Sequence, residues 1–161
     1  MFMNNAADTL RAALKTAGYN ARTVGVRQTR GGSLDVVIRS SAVSITAVGA
    51  IANAFRVVRY CEATGEILAG GNTFVNVAYD RAATAAITAT VLALIARAAD
   101  GFRCDVLGGS VVRHDMGACE AYLFTTADGD RIHAVGLEYA ARRIAESYCD
   151  RSALAAAKVA A

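Results

Sequence analysis

Apolar residues recur every three to four positions at the start of the chain, where Leu10, Ala13, Leu14 and Ala17 make one buried stripe of a first helix. Asn4 or Asn5 supplies its N-cap, Asp8 suits the positive end of the macrodipole, and Gly18 ends it. The period then drops to two. Val24 and Val26 alternate with Thr23, Gly25 and Arg27, and after Arg30-Gly31-Gly32 Leu34, Val36 and Ile38 alternate with Asp35, Val37 and Arg39. This pattern predicts a hairpin with one apolar face. Ser44 caps a second helix with Val48, Ile51, Ala52 and Phe55 at helical spacing and Arg56 at its end. A second hairpin is expected from Val57 to Glu62 and from Thr73 to Tyr79, around a glycine-rich turn.

Asp80 caps a long apolar central helix from about Arg81 to Ala98, expected to be sandwiched within the protein or, on the other reading, to form a homodimer interface through residues 81–98. Antiparallel strands follow, Cys104 to Leu107 with Ser110 to Arg113 around Gly108-Gly109, and Ala121 to Thr125 with Arg131 to Val135 around a type I′ turn at Asp128-Gly129. A C-terminal helix carries the stripe Leu137, Ala140, Ala141, Ile144, Ala145 and Tyr148, with Glu138 and Arg142 spaced to pair, and the alanine-rich tail from Ser152 continues it. The whole reads as α+β: a helix-hairpin-helix-hairpin half over residues 1–80 and a second α+β half over residues 81–161, with a soft boundary that leaves a single domain open.

Composition adds that such a chain folds, because 161 residues at 55% hydrophobic content bury enough surface to offset the ordering entropy. Ala82 to Ala96, the most apolar run, is shorter than the ~20 residues of a membrane-crossing helix, and the start lacks the pattern of a secretion signal, so a cytoplasmic setting without membrane contact is expected. Cys61, Cys104, Cys119 and Cys149 form no CxxC pair and are expected as buried thiols. Net charge is +3, yet residues 1–60 alone carry +6. That asymmetry marks an electropositive face for nucleic acid or an acidic partner.

Three stretches carry a likeness: Ala6-Ala7-Asp8-Thr9-Leu10-Arg11-Ala12-Ala13-Leu14-Lys15, Thr23-Val24-Gly25-Val26-Arg27, and Gly31-Gly32-Ser33-Leu34-Asp35-Val36-Val37. Together they make residues 5–80 resemble a large polyvalent protein-associated domain, a small module of long phage and conjugative-element polyproteins. The resemblance implies a mobile-element protein acting in a host cell, against a defence system or on the element's own DNA. It brings no catalytic residues.

Chemistry is sparse. Ser110, His114 and Asp115, with Cys104 or Cys119 nearby, have the residue types of a nucleophile, base and orienter but no nucleophile elbow, and neighbours along a strand point to opposite faces. Cys104, His114, Cys119 and His133 lack the short spacings of a zinc site. Asp128-Gly129-Asp130 lacks the ligands of a calcium loop, and Gly70-Gly71-Asn72 and Gly108-Gly109-Ser110 lack a phosphate-loop lysine. No catalytic residue, metal or cofactor is assigned. The binding candidates are Arg27, Arg39 and Arg59, expected by strand alternation on one exposed sheet face, with Arg30 extending it at the hairpin tip. They are either ordinary solubilising charges or a docking face for an acidic protein patch or for phosphates. The leading expectation is a non-enzymatic binding protein that meets a host defence component through protein contacts. The alternatives are direct DNA or RNA binding and a small enzyme built around His114.

Overall fold

The first helix, α1 (Ala6–Thr16), forms on the expected stripe and buries Ala7, Leu10 and Leu14. Asn4 and Asn5, its expected caps, lie outside the described residues; the structure is a computed structural model that describes residues 6–97 and 103–158. Its end is a Schellman motif, in which Gly18 takes a left-handed φ of 91° while its N–H donates to Lys15 O and that of Tyr19 to Leu14 O. Only glycine takes that conformation without a Cβ penalty, and the motif brings Tyr19 back against the core beside Leu14.

The expected hairpin follows as β1 (Val24–Gln28) and β2 (Leu34–Ile38), antiparallel, with Val24 opposite Ile38 and Val26 opposite Val36. Helix α2 (Ile45–Asn53) begins at Ser44, whose Oγ accepts the Ala47 N–H at 3.3 Å. Arg56 falls beyond its end.

The second hairpin does not form. Residues from Val57 to Glu62 make only isolated bridges, Val57 to Thr73 and Tyr60 to Ile67, and β3 (Val75–Tyr79) instead pairs parallel with β2, Leu34 opposite Val75 and Ile38 opposite Tyr79. The unit β2-α2-β3 is therefore a crossover within a three-stranded sheet of order β1-β2-β3. The physical reason is burial. Val75, Val77 and Tyr79 join the core formed by Leu34, Val36, Ile38, Val48 and the α1 stripe, whereas Val57 and Tyr60 stay more than half exposed. Tyr79 locks the crossover: its hydroxyl donates to Val43 O at 2.7 Å and accepts the Ile45 N–H at 3.3 Å.

The chain divides into two compact units, one running to Ala83 and including the residues from Ser152 onward, the other Thr84–Arg151. Helix α3 (Arg81–Ile95), capped by Asp80 Oδ1 on the Ala83 N–H, corrects the expectation of a long apolar central helix, whose expected end at Ala98 lies outside the described residues. It is 15 residues long, and burial is confined to Ala83, Ile87, Val91 and Ile95, one residue per turn. The apolar count came largely from alanine, which favours helix but hides little surface. Two of its threonines, Thr88 and Thr90, turn their hydroxyls back onto the carbonyls of Thr84 and Ala86. No helix among the described residues is long and apolar enough to cross a membrane.

The second unit is an antiparallel meander of β4 (Arg103–Val106), β5 (Gly109–Asp115), β6 (Glu120–Thr126) and β7 (Arg131–Val135), in sequential order. Val106, Val111, Tyr122, Phe124 and Ala134 form a core with Val91 and Ile95 of α3 and with Ala140, Ala141 and Ile144 of α4 (Leu137–Lys158). Two turn assignments are corrected. Leu107 and Gly108 both have positive φ, as a two-residue type I′ turn requires, so Gly109 belongs to the strand. At Asp128-Gly129 only Gly129 has positive φ, and four residues connect β6 to β7. On α4, Arg142 lies over the Tyr139 ring at 5.2 Å instead of pairing with Glu138, and Arg143 pairs with Glu146 at 3.5 Å. The expected burial is corrected for three of the four thiols: Cys119 is exposed, and Cys61 and Cys149 are half-buried, while the side chain of Cys104 lies outside the described residues.

Candidate binding surface

Sheet β1-β2-β3 buries one face under α1 and α2, and strand alternation sends Gly25 and Arg27 of β1, Asp35 and Val37 of β2, and Asn76 and Ala78 of β3 to the other. Apart from Arg27 their side chains are short or of medium length, and the face is a depression of about 420 Å³ lined also by Arg39. Arg27 is 82% exposed and reaches Asp35 at 3.4 Å, an ion pair worth roughly 0–1 kcal/mol that leaves it available to a partner.

Arg39 follows β2 directly and extends the ladder, its N–H donating to Thr23 O at 2.8 Å. Its side chain folds back over β1 and its guanidinium donates to Ala21 O. That path exists because residue 25 is glycine: a Cβ there would stand 2.7 Å from Arg39 Nη2. The receiving carbonyl is set by Asn20, whose Oδ1 accepts the Arg22 and Thr23 N–H groups and whose backbone O accepts that of Val24. Turn chemistry at Asn20 thus fixes Ala21 O, and Ala21 O fixes the cation.

Beyond the edge of β1 lies a second cavity, of about 510 Å³, which shares Gly25, Val26 and Arg39 with the first. Arg11 and Lys15 enter it from α1. Arg11 is held on both sides, by Asp8 and by Val26 O at 2.7 Å. Sequence reasoning missed both residues. The signal was present in their i,i+4 spacing beside Leu10 and Leu14, which places them along one flank of the buried stripe.

Of the four expected binding arginines, the structure brings Arg27 and Arg39 to one face. Arg30 is exposed in the β1–β2 turn. Arg59 is not on that sheet: it sits in the irregular segment before β3, its N–H donating to Asn72 Oδ1 at 2.9 Å and its guanidinium beside Gly71. The strand alternation that put it with the others fails because its segment is not a strand.

The structure does not bring Ser110, His114 and Asp115 together. Ser110 and His114 lie four residues apart on the extended β5, about 13 Å along the strand, and Ser110 is buried. Asp115 points to the opposite face, and its Oδ1 accepts the Gly117 N–H at 2.8 Å in the turn to β6. Register places His114 opposite Ala121 and His133 opposite Leu123, so both histidines face one depression of about 540 Å³ with Met116, Val135 and Tyr139. Among the described residues no three His, Cys, Asp or Glu side chains gather as metal ligands.

On the core face of the same sheet, Tyr122 donates to Glu120 Oε2 at 2.6 Å, and Arg113 pairs with Glu120 Oε1 at 3.2 Å. Burial, and then the Glu120 carboxylate, push the Tyr122 phenol up to about 12. At the turn before Gly65, the Thr64 hydroxyl, followed by the backbone N–H groups of Thr64 and Ala63, lowers the Cys61 thiol from its ordinary range.

No family model matches the chain, and no curated protein and no solved structure matches it either.

Proposed function

We propose that the chain is a non-enzymatic binding protein of a phage or mobile genetic element that interferes with host defence machinery through protein contacts. The observation that carries the binding reading is the open face of the three-stranded sheet, a floor of short and medium-length side chains lined also by Arg27 and Arg39. Such a floor admits side chains from a partner, and the two arginines favour an acidic patch among them. The mobile-element part rests on the resemblance of residues 5–80. A protein partner is preferred to nucleic acid because no aromatic residue lines the floor for base stacking and Asp35 sits within it.

Capture from host lysate with the double variant Arg27→Glu, Arg39→Glu as control tests the reading. A defence component retained by the native chain and lost by a folded variant supports it. Equal retention by both removes this face from the proposal. Binding to DNA or RNA whose affinity falls steeply with salt would instead make nucleic acid the partner.

A further inference from the structure

The cavity beside β1 differs in kind from the open sheet face. At about 510 Å³ it falls within the size range of small-molecule sites, and its walls combine an apolar body with a cationic end. Leu14 and Val24, 3% and 5% exposed, are its apolar base, with Tyr19 and Val26 beside them. Its charged lining is Arg11, Lys15 and Arg39, and no carboxylate stands among the lining residues. Asp8, which pairs with Arg11, offsets part of that charge from outside the cavity.

Two of these cations are positioned before any ligand arrives. Arg39 is laid across Gly25 and held by Ala21 O, and Arg11 is held by Asp8 and Val26 O. Preset donors lose less side-chain freedom on binding, so more of each charge-assisted hydrogen bond appears as affinity. Three like charges converging on a concave apolar surface are unfavourable to one another, and an anion placed among them relieves that repulsion.

We infer that this cavity is a binding site for a small organic anion, up to mononucleotide size, with a phosphate or carboxylate head toward Arg11, Lys15 and Arg39 and a flat apolar body against Tyr19, Leu14 and Val24. The site does not rest on the protein-contact reading, and it serves a ligand whether or not the open sheet face takes a partner.

The test is a titration of the full chain followed by backbone amide shifts, with four probes: adenosine 5′-monophosphate, phenylacetate, and the neutral parents adenosine and phenylacetamide. The expected result is saturable shifts over Leu14 to Val26 with at least one anion, roughly tenfold tighter than its neutral parent, as one charge-assisted contact implies. The ratio of each anion's affinity to that of its own neutral parent gives the contribution of its head group. Lys15→Gln, on an exposed helix surface, and Arg39→Gln should each weaken that anion by about tenfold while the spectrum stays folded. If neither anion saturates, if the neutral parents bind equally well, or if the shifts fall elsewhere, the assignment is overturned. Failure of the native chain to capture any defence component from lysate, with saturable anion binding retained, would count only against the protein-contact reading.

Discussion

Gly25→Ala separates the arrangement of the candidate surface from the stability of the fold. A Cβ on residue 25 would lie 2.7 Å from Arg39 Nη2 and 3.1 Å from its Cζ, contacts that cannot persist. What stands in the way is the far end of a flexible, exposed side chain, so the guanidinium swings off and the backbone stays. The loss is the hydrogen bond to Ala21 O, about 1 kcal/mol net at a solvent-exposed position. Against it, alanine restricts the unfolded chain and returns about 0.4–1 kcal/mol, because Gly25 is not among the positive-φ glycines. Unfolding free energy should therefore stay within about 1 kcal/mol of the native value, while anion binding beside β1 weakens.

Gly109→Ala is the contrasting variant. Its Cβ would stand 2.6 Å from Thr125 O, a backbone atom of the paired strand, and equally close to the ring of Phe124, which is 1% exposed. Neither can swing away, and overpacking of that kind costs about 1–3 kcal/mol. Urea denaturation followed by circular dichroism gives the two stabilities, and the Arg39 Nε–H resonance reports whether the guanidinium has moved. Should Gly25→Ala destabilise as much as Gly109→Ala, or leave both that resonance and anion binding unchanged, the account of Arg39 laid over Gly25 is wrong.

Two further outcomes follow from the same geometry. Because the Tyr122 phenol is raised from 10 to about 12 in the folded chain, the unfolded chain loses its proton first, so the stability this group contributes is complete below pH 10 and lost as pH rises toward 12. Ultraviolet titration should show its phenolate forming near pH 12 in the native chain, and lower in Glu120→Gln, where hydrogen bonding to a carboxylate is gone; an unchanged midpoint would exclude Glu120 as a cause. Ser44→Ala removes the cap of α2 and should lower stability by about 0.5–1 kcal/mol, the lower part of the usual range given the 3.3 Å contact. A urea midpoint unmoved within error would show that the cap contributes nothing.

What could be read along the chain was whatever near neighbours determine. The α1 stripe with Gly18 behind it, the β1–β2 hairpin around Arg30-Gly31-Gly32, the Ser44 cap and the α4 stripe all depend on side-chain periodicity and on hydrogen bonds spanning a few residues. Arg27 was placed on the outer face for the same reason, since alternation along β1 needs no knowledge of what lies elsewhere. Where a local pattern was ambiguous the reading failed. Val57 to Glu62 has strand-like composition, and the run of alanines in α3 scores as apolar without burying much.

The sequence by itself thus determined the helices α1, α2 and α4, the β1–β2 hairpin and which sign of charge the first unit presents. The tertiary structure alone decided that β3 joins β2 in parallel, that Arg59 leaves the basic face, and that Arg11, Lys15 and Arg39 converge beside the edge of β1. It also turned His114 and His133 to one depression. The physical reason is the range of the interactions. A cap or a stripe is fixed by residues within a turn of one another. A parallel pairing across a helix, or a cavity between a helix and a strand edge, depends on which apolar side chains are buried together, and no local spacing encodes that choice.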